Sequence, residues 1–232
     1  MSGRGVFVTG TDTGVGKTVV SCGLIRGLRS LGLHVAAMKP VSSGSERTSE
    51  GLRNADALHL ASSTGLALPY GDVNPYCFEP PVSPHIAAKE AGIRIDIGKI
   101  KQVYEGLNAR HDWVVIEGAG GWFAPIGERR NMADLAWALA VPAVLVVGLK
   151  LGCLNHAKLT QAGIEARGVS FAGWIASAVD PAFERAEENL ASLARLLGSQ
   201  PLAVVAHLGA STAPLTLTQA AQRLTRSVTA SA

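Results

Sequence analysis

The sequence is short of several things, and each shortage narrows what the protein can be. Aromatic residues make up only 5% of it, while glycine occurs 26 times. Small apolar side chains must then fill the interior, with glycine-rich turns joining short buried strands to helices. There are three cysteines, Cys22, Cys77 and Cys153, far apart and odd in number. No C-x-x-C occurs, which argues against a zinc site or a disulfide framework and for reduced thiols of a cytoplasmic protein. No basic run stands out in a chain of net charge +3, and Arg129-Arg130 look like ordinary surface. A nucleic-acid footprint is therefore not expected. The longest apolar stretch, 136–149, is too short to span a bilayer and contains Pro142, so no membrane partner is expected. The strand-like residues 6–8 leave no room for a signal peptide. Internal repeats and low-complexity tracts are absent.

What is present fits one well-filled domain over residues 1–232. Hydrophobic residues reach 47% and charged residues only 17%, a balance that favours a core over disorder. Short apolar runs at 6–8, 35–38, 113–116, 143–147, 173–176 and 202–205 read as buried strands. Between them, 17–31, 99–109, 132–139, 155–167 and 183–197 have helical patterns. Such alternation predicts an α/β fold with a mostly parallel sheet and helices on both faces. Residues 42–84 are less regular, with a helical stretch near 54–62. A linker and a site-building insertion are both open there. The last residues, 225–232, look frayed.

The strongest local signal is Gly10-Thr11-Asp12-Thr13-Gly14-Val15-Gly16-Lys17-Thr18. It follows a strand and opens a helix, the context that makes a glycine-rich loop a phosphate cradle. Glycines let backbone N–H groups converge on phosphate oxygens, and the helix start adds partial positive charge. Thr13, Gly14, Val15, Gly16, Lys17 and Thr18 are thus candidate nucleotide contacts. Lys17 is suited to the β- and γ-phosphates and the Thr18 hydroxyl to magnesium. The loop is one residue longer than the common form, because Gly10 rather than Thr11 is the leading glycine.

A phosphate loop needs acidic partners. Glu117 ends the apolar run 113–116 and is followed by Gly118-Ala119-Gly120-Gly121, at the strand end where an open α/β sheet binds its ligand. It is a candidate magnesium ligand. Asp56 is a second, although a first-turn helix acid explains it equally well. Lys39 ends the strand 35–38 and precedes Pro40, which keeps it extended and aims it from the strand's carboxyl end. A lysine there can offset charge on an anionic intermediate. The six histidines are dispersed and look structural.

Taken in order, these blocks resemble the dethiobiotin synthetase family over most of the chain. The matching segments are V-T-G-T-D-T-G-V-G-K-T (8–18), K-P-V-S-S-G-S-E (39–46), G-L-R-N-A-D-A-L (51–58) and V-N-P-Y (73–76). S-P-H-I-A-A (83–88), V-I-E-G-A-G-G-W (115–122) and V-G-L-K-L-G-C-L-N-H (147–156) complete the set. The resemblance implies ATP- and Mg2+-dependent carboxylation and ring closure of 7,8-diaminononanoate with CO2, in biotin synthesis. It implies catalytic roles for Lys39, Lys17 and Thr13, and magnesium held by Thr18, Asp56 and Glu117. Gly118, Ala119, Gly120 and Ser177 fall at nucleotide-site positions and Ser43 at a substrate position. Gly152, Cys153, Leu154 and Asn155 match a segment that binds the substrate carboxylate from a neighbouring subunit, which implies a homodimer.

Two positions depart from the family pattern. Asn often follows the strand 173–176 to read adenine, whereas Ser177 and Ala178 stand here, and a later proline is missing from 204–207. Relaxed base selectivity is the expectation. Two other classes compete. A P-loop switch ATPase acting through a protein partner usually carries a lysine where Asp12 stands. The ATP-dependent half of a glutamine amidotransferase needs an added glutaminase domain, for which 232 residues lack space.

Overall fold

The computed structural model describes residues 4–207 and 215–230. Its strands are β1 (Arg4–Gly10), β2 (Val35–Met38), β3 (Val41–Ser42), β4 (Glu46–Thr48), β5 (Gly51–Arg53), β6 (Tyr76–Cys77), β7 (Trp113–Glu117), β8 (Ala143–Gly148), β9 (Phe171–Ser177) and β10 (Ala203–Val205). Its helices are α1 (Lys17–Ser30), α2 (Ala55–Thr64), α3 (Tyr70–Val73), α4 (Pro84–Glu90), α5 (Ile97–Arg110), α6 (Met132–Leu139), α7 (Cys153–Ala166), α8 (Ala186–Leu197) and α9 (Thr218–Ala230).

Six strands form one sheet in the order β10-β9-β8-β1-β7-β2. Every pairing in it is parallel. The central strands are near-continuous apolar runs because both faces are covered. Their side chains alternate between two cores. Phe7, Ile116, Leu145 and Val147 face one core, where Ile100, Leu107, Leu135 and Ile164 of α5, α6 and α7 pack. Val6, Val8, Val115 and Val146 face the other, with Leu24 and Leu28 of α1, Leu60 of α2 and Leu224 of α9.

All six predicted strands are present, with ends moved by up to two residues. Helix ends move further. α7 starts at Cys153 behind a left-handed Gly152 with φ 92°, and α8 starts only at Ala186. The expected frayed tail is instead helical to Ala230. Leu217, Ala220, Ala221 and Leu224 form a short buried stripe against α1, which sets the helix despite its polar composition. Residues 231–232 lie outside the described residues. The 42–84 region is no bare linker: β3 pairs β6 in parallel, β4 pairs β5, and α2 and α3 stand between.

The chain visits β1, then the edge strand β2, then β7 between them, and only afterwards β8 on β1's other side. The carboxyl ends of β1 and β7 therefore flank the point where the winding reverses, which is where an open α/β sheet leaves a crevice.

Candidate active site

The loop leaving β1 curls back over the start of α1. Gly14 and Gly16 take φ of 74° and 85°, a region side chains disfavour, so these two glycines are required by the turn. Gly10 is needed for space: a Cβ on it would stand 2.6 Å from Val15 Cγ2. The loop is anchored by Thr11 N–H donating to Val146 O at 3.0 Å and Thr13 N–H to Asp12 Oδ1 at 2.7 Å. Lys17 lies back along the loop and donates to the Asp12 carbonyl at 2.9 Å.

β7 runs beside β1 with Glu117 opposite Val8, so Glu117 emerges at the loop's floor. It is fully buried, and Oε1 accepts from Thr18 Oγ1 at 2.9 Å and from Lys39 Nζ at 2.5 Å. Its other oxygen, Oε2, is buried without a partner. Lys39, 5% exposed, also reaches Asp56 Oδ2 at 2.9 Å. Asp56 sits in the first turn of α2, whose cap is Asn54 accepting from Ala57 N–H. Asp56 is thus free of capping duty and turns its carboxylate to Lys39.

The two lysines respond differently to burial. Burial alone lowers a lysine's proton affinity. For Lys17 it wins, aided by the nearby Lys39 charge and opposed by Glu117 and Asp56, and the ammonium is pushed down to about 8. For Lys39 the burial penalty is outweighed by contact with Glu117 and Asp56, so its pKa lies above the ordinary value. Asp56 is lowered in turn: burial would raise it, but Lys39 prevails. Asp12 is lowered by the Thr13 N–H and then by Lys150, whose Nζ stands 3.2 Å from Oδ2.

These groups open on a cavity of about 710 Å³. Of the residues marked from sequence, Thr13, Gly14, Gly16, Lys17, Thr18, Lys39, Ser43, Asp56, Glu117, Ala119 and Gly120 line it. Val15 is buried behind the loop, and Gly118 packs so closely on Phe7 that a Cβ would stand 3.0 Å from the ring. Ser177 ends β9 beneath the loop, with Oγ 2.6 Å from where a Gly16 Cβ would be. Gly152, Cys153, Leu154 and Asn155 are not in the lining. Sequence reasoning missed Val19, Ser42, Asn54, Ala124 and the wall Pro81-Val82-Ser83-Pro84. Ser83 and Pro84 open a matching segment that carries no chemistry of its own, and Pro81 and Val82 lie outside any such segment.

A family profile described as an AAA domain matches residues 4–214. The ATP-dependent dethiobiotin synthetase BioD of Pseudomonas paraeruginosa is 50% identical over 215 residues, covering 87% of this chain and 94% of that protein. The chain belongs to the ATP-dependent dethiobiotin synthetase family. A relative from Salmonella typhi, named BioD 1, is 46% identical over 205 residues, covering 88% and 90% of the two chains. Among solved structures, the MinC:MinD cell division complex of Aquifex aeolicus matches with TM-score 0.61 at 16% identity, covering 96% of each chain. That likeness bears on the fold alone. It agrees with the mostly parallel α/β architecture. Within the synthetase family frame, the residues outside the cavity are informative too. Leu151 is 93% exposed, Leu159 is 62% exposed, and Phe123 is 59% exposed. Phe123 lies against Gly163, one turn beyond Leu159 on α7, so these two share a side of the helix, and Leu151 immediately precedes its cap, Gly152.

Proposed function

We propose that this cavity is where the chain makes dethiobiotin from 7,8-diaminononanoate, CO2 and ATP, releasing ADP and phosphate. One amine of the substrate adds to CO2 and loses a proton, giving a carbamate. A carbamate oxygen attacks the γ-phosphorus and ADP departs, leaving a carbamic-phosphoric anhydride. The second amine attacks the carbamoyl carbon, the ureido ring closes, and phosphate leaves. Phosphorylation is needed because a carbamate oxygen is a poor leaving group near neutral pH.

The observation that carries this reading is the convergence of Lys17 and Lys39, from two separate loops, on one cavity. Gly14 to Lys17 hold the triphosphate by backbone N–H groups and the Lys17 ammonium. Lys39 offsets the charge that builds on carbamate and transferring phosphate, in a site where preorganised charge is most effective. Thr13 and Ser43 position the carbamate. Magnesium, which neutralises phosphate charge when bound with ATP, would be held by Thr18, Glu117 and Asp56, directly or through water. The fit rests on the buried, unpartnered Glu117 Oε2, a carboxylate oxygen suited to a cation. The Pro81-to-Pro84 wall, apolar at Pro81 and Val82, suits the substrate's alkyl chain.

A homodimer completes the reading. The backbone N–H groups at the start of α7, Gly152 to Asn155, suit the substrate carboxylate of the partner's site. The exposed side chains of Leu151, Leu159 and Phe123 supply apolar surface to bury. The three unpaired thiols agree with a cytoplasmic location.

The direct test combines purified protein with diaminononanoate, bicarbonate, magnesium and ATP and looks for dethiobiotin by mass spectrometry. ATP cleavage without product would overturn the reading. For the dimer, Leu151→Asp is expected to sediment at half the wild-type mass and lose turnover. A fully active monomer at assay concentration would contradict it.

A further inference from the structure

Lys39 lies just past the end of β2, where Pro40 has no N–H to continue the ladder. Its backbone is held from another direction. Lys39 N–H donates to Val73 O at 2.7 Å, and Lys39 O accepts from Asn74 Nδ2 at 2.6 Å. The seam continues with Tyr76 N–H to Pro40 O at 3.2 Å and then the β3–β6 ladder.

Asn74 is 3% exposed, and each of its polar groups is used. Nδ2 donates to Lys39 O and to Tyr76 O at 3.2 Å. Oδ1 accepts from Ser42 Oγ at 2.8 Å and from Tyr70 Oη at 3.1 Å. The Tyr70 hydroxyl in turn accepts from Asn54 N–H at 2.7 Å, and Asn54 Nδ2 donates to Ser43 O at 3.3 Å. One buried amide therefore ties together the backbone of Lys39, the turn that presents Ser43, and the cap of the helix that carries Asp56. Only an amide offers two donors and an acceptor in that plane. Alanine would orphan a buried carbonyl, and aspartate would set an oxygen against two carbonyls.

We infer that Asn74 is a positioning residue for the reaction: it fixes the point from which Lys39 reaches the reacting groups, and it does so without touching the phosphate loop. The inference rests on the role proposed above for Lys39. A displacement of about 1 Å in a reacting group can cost roughly 10²-fold in rate. In the full chain, Asn74→Ala is therefore expected to lower kcat about 10- to 100-fold while leaving KM for ATP within about twofold. A purely structural role would lower the folded fraction and with it apparent kcat at unchanged KM, so turnover is expressed per folded, nucleotide-binding molecule, where only a positioning role leaves a loss. In a Lys39→Ala background the same change should cost less than about threefold, because its route of action is gone.

Wild-type kcat in folded Asn74→Ala, or two factors that multiply fully in the double variant, overturns the inference. If Asn74→Ala does not fold, Tyr70→Phe decides. It removes one hydroxyl from Asn74 Oδ1 and is expected to lower kcat several-fold at unchanged KM for ATP, and unchanged kcat overturns the inference. Lys39→Ala alone separates the two levels. Wild-type turnover there removes the Lys39 role and this inference with it. A dead Lys39→Ala beside a full-speed Asn74→Ala removes this inference only.

Discussion

Lys17 and Lys39 share one cavity and are both withdrawn from water, but the loops that carry them are built on different principles. The Lys17 loop is made of backbone: two left-handed glycines, a helix start, and an ammonium resting on a carbonyl five residues away. The Lys39 loop is made of side chains drawn from afar, with Glu117, Asp56 and Asn74 each on a separate element. On the proposed function the first binds the triphosphate, and Lys17 exchanges only its bond to the Asp12 carbonyl to do so. The second holds a pre-paired charge that must share its carboxylates when the site fills. On that reading nucleotide binding is a local property of this chain, whereas charge placement at the reacting carbon depends on its tertiary structure.

The sharpest way to break that contrast is to remove each lysine. Lys17→Ala and Lys39→Ala are both expected to cut turnover about 10²- to 10³-fold, the usual loss for one preorganised charge. Their stabilities should separate. Lys39→Ala leaves a fully buried Glu117 with Thr18 as its remaining partner, and breaking a buried pair costs about 3 kcal/mol or more. Lys17→Ala strands no carboxylate and should unfold near the wild-type midpoint. Equal losses in denaturant titrations would erase the distinction drawn here.

A pH profile probes the same contrast with the protein unaltered. The folded-state pKa of Lys17 is depressed to about 8, so its charge is present below that value and lost as pH rises through it. kcat/KM for ATP is expected to fall above about pH 8, approaching about tenfold per unit, since each further unit lowers the protonated fraction of that one group about tenfold. Lys39, shifted upward, stays charged across that range. A profile flat to pH 9.5 would show that Lys17 is not the phosphate contact.

The smallest effect concerns the base, which neither lysine reads. Ser177 stands where relatives' pattern leads one to expect Asn, and a hydroxyl cannot match adenine's donor and acceptor together. One net hydrogen bond is worth about 0.5–1.5 kcal/mol, so discrimination falls by roughly two- to tenfold. GTP or CTP should support measurable product, and Ser177→Asn should sharpen the preference for ATP by a similar factor. The measurement is kcat/KM for four nucleoside triphosphates at fixed magnesium. A native ATP preference above about a thousandfold, several times what one hydrogen bond supplies, would show that other groups read the base.

The same division explains what could be read from sequence. The strands were legible because burial on both faces writes continuous apolar runs, and the phosphate loop because its function is carried by glycine spacing. Glu117 was legible through its place at the tip of such a run. Asp56 was ambiguous, since a first-turn acid and a metal ligand look alike until Asn54 is seen to be the cap. Asn74, Tyr70 and Ser42 left no trace as a network, because hydrogen bonds between distant side chains impose no period. The end of α9, expected to be frayed from residue 225, is illegible for a related reason: its buried stripe is two leucines and two alanines, too slight to register against the threonines and arginines around it.

That stripe also carries a consequence for biosynthesis. Gly23 and Gly27, one turn apart on α1, form a flat track on which the chain at Leu217 lies so close that a Cβ on Gly27 would stand 2.5 Å from the Leu217 carbonyl oxygen. Leu217 N–H closes the contact by donating to Gly23 O at 3.0 Å. During vectorial synthesis the Gly23–Gly27 side of α1 thus stays bare until every strand of the sheet has left the ribosome, although α1 is among the first elements made.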